Sequence, residues 1–254
     1  MSLEKEIALA AGSAASPRVY DAEATRRNII AVATEEFARN GLAGARIDEI
    51  AARTATSKRM IYYYFKDKEG LYLTVLEEAY RRIRAIEATL DLEHLPPIEA
   101  LKKLVRFTFD YQNANEDFIR LVMIENIHDA AYLGRSKVIQ ALNVTVIDAI
   151  RRLCERGVAE GVFREGLDPV DLHWSISALC FFNVSNRATF SRIFKCDMAS
   201  PRALAARRAG IVDMILRHVL APTDAGAGDA RAARGPAKPR KPGRAAARSR
   251  KERR

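Results

Sequence analysis

The positions of the prolines constrain the fold more than any other feature of the sequence. Before the C-terminal tail they occur at positions 17, 96, 97, 169 and 201, so residues 18–95 contain none. Proline interrupts helices because it has no backbone N–H to donate and its ring clashes with the preceding turn. Between the prolines, apolar residues recur at helical spacing, and the alternation typical of strands is absent. The sequence therefore predicts an all-α fold.

The composition argues against a membrane protein and a secreted one. Hydrophobic residues make up 48% of the chain, but no apolar run approaches the roughly 20 residues of a membrane span. Cys154, Cys180 and Cys196 are widely spaced, without a CxxC or Cys/His pairing, so we expect structural thiols in a reducing compartment. Residues 1–20 make a poor signal peptide, and we interpret them as the disordered leader of a cytoplasmic protein.

Most of the positive charge belongs to the C-terminal tail. Residues 221–254 contain eleven Lys or Arg and three acids, a net charge of +8 out of +10 for the whole chain. The tail is rich in Ala, Gly, Pro and Arg and has too few apolar residues to form a core, so we expect it to be disordered. Such tails bind nucleic acids without sequence preference, although a solubilising extension is the alternative.

The N-terminal section, residues 21–66, is predicted to hold three helices and to be followed by a long fourth one. Apolar spacing, capping residues and glycine mark their limits. The four predicted helices run from Asp21 or Thr25 to Asn40-Gly41, over 46–53, from Ser57 to Tyr64 or Phe65, and over 67–90.

The third helix has two different faces when its residues are placed at 100° intervals. The face predicted to be buried holds Met60, Ile61, Tyr64 and Phe65, and the opposite face holds Lys58, Arg59, Tyr62 and Tyr63. Lysine and arginine neutralise phosphates, arginine can pair with guanine, and tyrosine can contact phosphates or thymine methyl groups. Two short helices joined by a tight turn, the second exposed and basic, are typical of a DNA-binding helix-turn-helix.

Residues 25–72 closely resemble the DNA-binding domain of the TetR (tetracycline repressor) family. The ordered set that carries the resemblance is Ser57-Lys58, Ile61-Tyr62, Tyr64-Phe65, Lys68-Glu69 and Leu71. The resemblance implies that the third helix is the recognition helix. Tyr64 is a contact position in some members, although the helical wheel turns it inward. The predicted DNA-binding residues are Arg46, Lys58, Arg59, Tyr62, Tyr63, Tyr64 and Lys68, and Arg26 and Arg27 are further phosphate contacts or simply solvated.

Four positions depart from the family pattern. Met60 replaces a usual threonine, which removes a hydroxyl contact to phosphate, and Arg46 replaces a threonine that caps the second helix. Ala55 and Thr56 replace the usual Gly-Val of the turn, so the turn is expected to be stiffer. None of these changes alters the interpretation as a helix-turn-helix.

Residues 67–220 are predicted to form the ligand-binding and dimerisation domain, with about nine helices in the whole protein. Beyond the long fourth helix, the five expected helices cover 97–113, 115–128, 135–158, 169–196 and 201–220. The resemblance implies that the last two pack against a second subunit and that a ligand cavity lies behind them. Since one short helix reads too few bases alone, we expect a symmetric dimer on a palindrome with half-sites about one helical turn apart.

Aromatic and polar residues of this domain are candidates for the cavity lining, although for any single aromatic ordinary core packing is the better explanation. The candidates are Phe107, Tyr111, Phe118, Met123, Asn126, His128, Trp174, Phe181, Phe182, Asn183 and Arg187. Glu125 and His128 have a spacing that could bind a metal, but no third ligand is evident, so we predict neither metal nor cofactor.

The sequence thus predicts a cytoplasmic, nucleoid-associated transcriptional regulator that responds to a ligand. Its expected partners are double-stranded operator DNA, a small-molecule inducer and a second copy of the chain, with repression the commoner mode in the family. An enzyme would need a catalytic constellation, which the four histidines do not supply. A helical adaptor would not need the Lys-Arg-Tyr-Tyr face. A helical protein that binds DNA non-specifically through its tail is the remaining alternative.

Overall fold

The computed structural model describes residues 21–222, and within them the chain forms ten α-helices. The leader 1–20 and residues 223–254 of the tail lie outside the described residues. The helices are α1 Ala22–Gly44, α2 Ile47–Thr54, α3 Lys58–Phe65, α4 Lys68–Ala88, α5 Pro97–Ala114, α6 Glu116–Ile127, α7 Lys137–Ala159, α8 Pro169–Ser185, α9 Arg187–Phe194 and α10 Pro201–Val219, with a 3₁₀ turn at Leu133–Arg135.

The starts of the N-terminal helices follow from side-chain caps, which satisfy amides that have no partner within the helix. Asp21 Oδ1 accepts from the backbone N–H of Ala24 at 3.0 Å. Ser57 Oγ accepts from Met60 at 3.2 Å, and Asp67 Oδ1 accepts from Gly70 at 2.7 Å. Of the two caps predicted for α1, the structure therefore uses Asp21.

The end of α1 differs from the expected one. Gly41 has the predicted positive φ, 65°, but its ψ of 176° takes it outside the left-handed helical region. The chain then makes one more helical turn to Gly44, and the N–H of Ala45 donates to the carbonyl of Gly41 at 3.1 Å. The glycine produces a kink there and does not end the helix.

The region predicted as one helix over 169–196 is two helices. Asn186, with φ −107° and ψ 4°, separates α8 from α9. The Asn186 side-chain amide donates to Ser185 Oγ at 2.8 Å, and such local bonds of Ser and Asn compete with the helical ladder. The described residues consequently hold ten helices where about nine were predicted.

Two hydrophobic clusters hold the helices together. The first joins α1 to α4 and includes two residues from later in the chain, Leu121 of α6 and Ile139 of α7. The second joins α5, α7, α8 and α10. Because α6 packs against both α1 and α8, it connects the helix-turn-helix to the rest of the C-terminal helices.

Candidate DNA-binding surface and effector cavities

The exposed face of α3 is held in place by its buried face. Ile61 and Phe65 are 0% and 4% exposed, whereas Tyr62 and Tyr63 are 43% and 78% exposed. The predicted division of the helix is therefore present, except that Met60 and Tyr64 are only half-buried. Because most of the Tyr63 side chain is exposed, it can contact DNA without any rearrangement of the core.

The two cations of α3 differ in their surroundings. Lys58 forms an ion pair with Asp48 of α2, although both side chains remain about half exposed. Among residues 21–222, no acid pairs with the exposed side chain of Arg59. Surface ion pairs contribute little to stability, so a DNA phosphate can take the place of Asp48. Arg59 can bind a phosphate without giving up an existing ion pair, whereas Lys58 must first leave Asp48.

The remaining predicted contact residues lie at the edges of this surface. Lys68 Nζ donates to the carbonyl of Ala43 at 3.2 Å, which ties the start of α4 to the end of α1. Arg46 precedes α2 without capping it through its side chain, as expected. Its backbone N–H instead donates to Glu36 Oε1 at 3.1 Å, and its side chain is exposed.

Tyr64 and Arg26 belong more to the framework than to the surface. The half-buried ring of Tyr64 lies 5.5 Å from that of Tyr63 and 6.0 Å from that of Phe65, measured between centroids. The Arg26 guanidinium lies 5.6 Å from the centroid of the Phe65 ring, a cation–π contact. Arg27 reaches Asp21 at 4.0 Å.

Gly70 fixes the approach of α4 to the end of α3. A Cβ placed there would lie 2.2 Å from the carbonyl oxygen of Phe65. Only glycine allows this approach, since the obstacle is backbone and cannot rotate away. The orientation of α3 relative to the long helix α4 thus depends on one residue that is not among the predicted DNA contacts.

The predicted cavity residues are spread over several places. An open cleft of about 730 Å³ between α1, α4 and the start of α6 includes Tyr111 and Phe118. A smaller cavity of about 200 Å³ between α8, α9 and α10 includes Phe182, Asn183 and Arg187. The other candidates lie apart from these two: Phe107 borders a shallow depression on α5, Met123 and Phe181 are half-buried, and Trp174, Asn126 and His128 are exposed.

A third cavity holds none of the predicted residues. It measures about 460 Å³ and lies between α4, α5 and α7, with Arg84 among largely apolar neighbours. The Arg84 side chain is 13% exposed and forms an ion pair with Glu87. It also donates to Asn143 Oδ1 at 2.9 Å. An arginine on the core side of α4 gives no distinct signal in the sequence, because its neighbours have the ordinary spacing of an amphipathic helix.

The interior of the C-terminal helices also contains titratable groups that were not predicted as site residues. Burial and the positive charge of Arg84 lower the pKa of His173 to about 4. Burial raises the pKa of Tyr80, whose ring lies 5.4 Å from that of Phe118. His173 is therefore neutral at physiological pH and is held that way by its surroundings.

Glu125, considered above as a possible metal ligand, accepts hydrogen bonds from other groups of the protein. Its carboxylate, 1% exposed, accepts from the Tyr72 hydroxyl at 2.9 Å and from the backbone N–H groups of Tyr132 and Leu133 at 3.1 and 2.9 Å. Burial, followed by the hydrogen bond to Glu125, raises the pKa of Tyr72. His128 is exposed. These bonds join α4 to the segment between α6 and α7.

Arg187 connects α9 to the start of α6. Its Nη2 donates to Asn113 Oδ1 at 2.6 Å and its Nη1 to Glu116 Oε1 at 3.0 Å. The side-chain amide of Asn183 donates to the same Asn113 oxygen at 3.1 Å. Two of the predicted polar anchors, Asn183 and Arg187, are thus brought together, but through Asn113, which was not predicted.

None of the helices within residues 21–222 combines the length and the apolar composition needed to cross a bilayer.

Comparison with known proteins gives a consistent result for both halves of the chain. The family model for bacterial regulatory proteins of the tetR family matches residues 29–75. The family model for the tetracyclin repressor-like C-terminal domain matches residues 97–215. The HTH-type transcriptional repressor NicS of Pseudomonas putida is 35% identical over 200 residues, which cover 79% of this chain and 94% of that protein.

Solved structures show the same architecture. SCO4942 of Streptomyces coelicolor is 31% identical with a TM-score of 0.60, over 78% of this chain and 99% of that one. FadR of Bacillus subtilis, solved in complex with stearoyl-CoA, is 19% identical with a TM-score of 0.57, over 75% and 97% of the two chains; at this identity the likeness concerns the fold. With both family models matched in order and a repressor related over nearly its whole length, the chain belongs to the TetR family of bacterial transcriptional regulators.

Proposed function

We propose that this protein is a dimeric repressor that binds a palindromic operator through α3 of each subunit and releases it when a small molecule binds the C-terminal helices. The exposed Lys58, Arg59, Tyr62 and Tyr63 face of α3 is the observation that carries the proposal. Convex, basic and aromatic, it fits the major groove of DNA. The relation to a named repressor favours repression over activation.

We assign the contacts as follows. Arg59 reads a base or binds a phosphate, Lys58 exchanges Asp48 for a phosphate, and Tyr62 and Tyr63 contact the backbone or thymine methyl groups. Lys68, Arg46 and, less directly, Tyr64 flank this centre and orient the domain. The proposed DNA-binding domain spans 21–66 and the proposed ligand-binding and dimerisation domain 67–220.

The dimer is supported by an apolar stripe on α8. Val170, Trp174 and Phe182 are 56%, 71% and 46% exposed, and with the exposed Ala178 they recur every four residues on one side of the helix. Large contiguous apolar patches are uncommon on monomers and mark interaction surfaces. Met214 of α10 is also 41% exposed. We propose that a second copy covers the Val170, Trp174 and Ala178 part of this stripe, which gives Trp174 a role in the dimer and leaves Phe182 at the cavity between α8, α9 and α10.

Effector release requires that the C-terminal helices act on α3. The supporting observation is that Leu121 of α6 and Ile139 of α7 are buried in the same cluster as α1 to α4. A shift of α6 therefore changes the packing beneath the helix-turn-helix. A ligand needs only a few kcal/mol of preference for one of two arrangements to shift such an equilibrium. FadR of Bacillus subtilis, which has the same fold, was solved in complex with stearoyl-CoA, and this supports a ligand site in the present protein.

The basic tail, 221–254, and a cytoplasmic, nucleoid-associated location remain part of the proposal. The tail adds affinity for any DNA through its charge. Binding mainly through the tail, without specificity, is the weaker alternative, because it leaves the exposed face of α3 without a role.

Competition for DNA tests this proposal. Labelled DNA from upstream of the gene is bound by the full-length protein and challenged with the same DNA or with random DNA. We expect the same DNA to compete far better. Arg59→Ala should weaken specific binding by about 1–3 kcal/mol while the dimer persists, and Arg106→Ala, an exposed arginine of α5, should have no effect. Equal displacement by both competitors would contradict specific recognition.

A further inference from the structure

The cavity between the end of α8, α9 and the start of α10 has an unusual lining. Arg187 and Arg207 provide two cations, Asn183 and Asn186 provide two amides, and Phe182 and Phe190 form an aromatic wall with centroids 5.4 Å apart. None of the lining residues is an acid. Pockets for small molecules combine apolar walls with a few polar groups that fix orientation, and here those groups are cationic or neutral.

The cations are not fully used by the protein itself. Within the described residues Arg207 has no acidic partner. Arg187 uses both Nη atoms on Asn113 and Glu116, but its Nε–H is buried and has no acceptor in the part of the chain that the structure describes. A buried donor without an acceptor is unfavourable. An anion that approaches Arg187 from the cavity would supply acceptors to this guanidinium and to Arg207.

A second feature at the same place favours an anion. Helix α9 begins at Arg187 and no side chain caps it; the side-chain amide of the preceding Asn186 donates to Ser185 Oγ. The amides at the start of a helix carry a partial positive charge when nothing caps them. The two arginines and this helix start therefore act in the same direction.

From these observations, and resting on the proposed function, we propose that this cavity is the effector site and that its ligand is a small carboxylate on a single-ring apolar body. The guanidinium groups of Arg187 and Arg207 bind the carboxylate, because arginine matches its planar, two-oxygen geometry. Phe182 and Phe190 hold the ring. The volume of about 200 Å³ lies below the roughly 300–1,000 Å³ of pockets for drug-sized ligands, which favours one substituted ring over a long acyl chain.

The position of Arg187 also gives the site a route to the DNA-binding half. Arg187 binds Asn113 and Glu116 at the junction of α5 and α6, and α6 packs against α1. A carboxylate in the cavity competes with Glu116 for the same guanidinium. Binding therefore weakens the tie between α9 and the start of α6, and the freed α6 changes the packing under α1.

The test uses the full-length protein, benzoate as the anionic probe and benzamide as its neutral counterpart. Thermal unfolding measures binding, and fluorescence anisotropy with labelled upstream DNA measures release. We expect millimolar benzoate to raise the melting temperature and to weaken operator binding, and benzamide to do neither. Loss of one charged hydrogen bond should make Arg207→Gln bind benzoate about tenfold or more weakly. Arg202→Gln, an exposed arginine on the same helix, should bind it normally.

Arg187→Gln checks the route separately. It removes the contact to Glu116 and should weaken operator binding even without benzoate. Equal responses to benzoate and benzamide, or an unchanged response in Arg207→Gln, would overturn the assignment of the site. Failure of the proposed function gives a different result, since the wild-type protein would then not distinguish its upstream DNA from random DNA, whatever the probe.

Discussion

The exposed face of α3 and the cavity between α8, α9 and α10 use the same kinds of side chain in opposite shapes. On α3 a lysine, an arginine and two tyrosines stand on a convex helix, with Tyr63 78% exposed. In the cavity two arginines and two phenylalanines line an open concave space of about 200 Å³. A convex basic surface suits a groove in DNA, whereas a concave one suits a single small molecule. The residue types indicate an anionic partner for both regions. The shape of each region indicates whether that partner is a DNA duplex or a small molecule.

The two regions also differ in what holds them. The framework of α3 is tight, because Gly70 allows α4 to approach the carbonyl of Phe65. The cavity depends on a single arginine that links three helices through polar contacts. We therefore expect DNA binding to be lost when the packing beneath α3 is disturbed. The cavity, in contrast, should change when the charge of its side chains or of its ligand changes.

The largest expected effect is on the framework of α3. Gly70→Ala places a Cβ 2.2 Å from the carbonyl oxygen of Phe65, and relief of such an overlap typically costs about 1–3 kcal/mol. We expect a lower free energy of unfolding by chemical denaturation and a loss of operator binding. Gly210→Ala is the control, because its Cβ meets nothing within 4 Å and alanine favours a helix by up to about 1 kcal/mol. Unchanged DNA binding in Gly70→Ala would disprove the tight framework.

The basic tail separates affinity from specificity. Deletion of residues 223–254 removes a net charge of +8, and we expect about a tenfold or greater loss of affinity for all DNA at low salt, with a smaller slope of log K against log salt. The ratio of operator to random affinity should stay the same. If that ratio fell instead, specificity would reside in the tail and not in α3.

The third effect is a dependence of stability on pH that arises from His173 in the C-terminal helices. His173 has a pKa lowered to about 4 by burial and by Arg84, against about 6.5 in an unfolded chain. Below pH 6.5 the unfolded state binds the proton more readily, so stability falls as the pH drops from about 6.5 to about 4. We expect the melting temperature to fall by about 2–4 °C or more between pH 7 and pH 5. In His173→Gln this pH-dependent decrease should be smaller. An equal decrease in that variant would show that His173 is not responsible.

The smallest expected effect is at the turn of the helix-turn-helix. Ala55 has φ 50° and ψ 34°, the left-handed conformation, which costs an L-residue about 1–2 kcal/mol. Ala55→Gly should raise the free energy of unfolding by up to about 1 kcal/mol, because the greater freedom of glycine in the unfolded chain offsets part of the gain. DNA binding should not change. A destabilised variant would show that the methyl group of Ala55 makes contacts worth more than the strain.

The sequence was most informative where local rules decide the structure. Ser57 caps α3 as predicted, α4 begins next to Asp67, close to the predicted start, and the exposed face of α3 follows from helical periodicity alone. Local chemistry also explains the main error in the helix limits: apolar spacing continues through Asn186, but its side chain bonds to Ser185 and ends α8.

The cavities could not be predicted in the same way, because they depend on how distant helices meet. Trp174 and Phe182 are aromatic residues of an apolar helix, and nothing in their spacing tells which side of α8 is covered within one chain. Arg187 was identified as a polar anchor, but its partners Asn113 and Glu116 lie about seventy residues away in the sequence. Arg84 was missed because a buried polar residue is recognisable only once its surroundings are known.

The most direct test of the account is a hydroxyl-radical footprint of the full-length protein on its upstream DNA. Two α3 helices of one symmetric dimer should protect two equivalent patches, about one helical turn apart and related by a dyad. Both patches should disappear together in the double variant Tyr62→Ala/Tyr63→Ala while the dimer persists. A single patch, uniform protection along the DNA, or a footprint that survives the double variant would contradict recognition by α3.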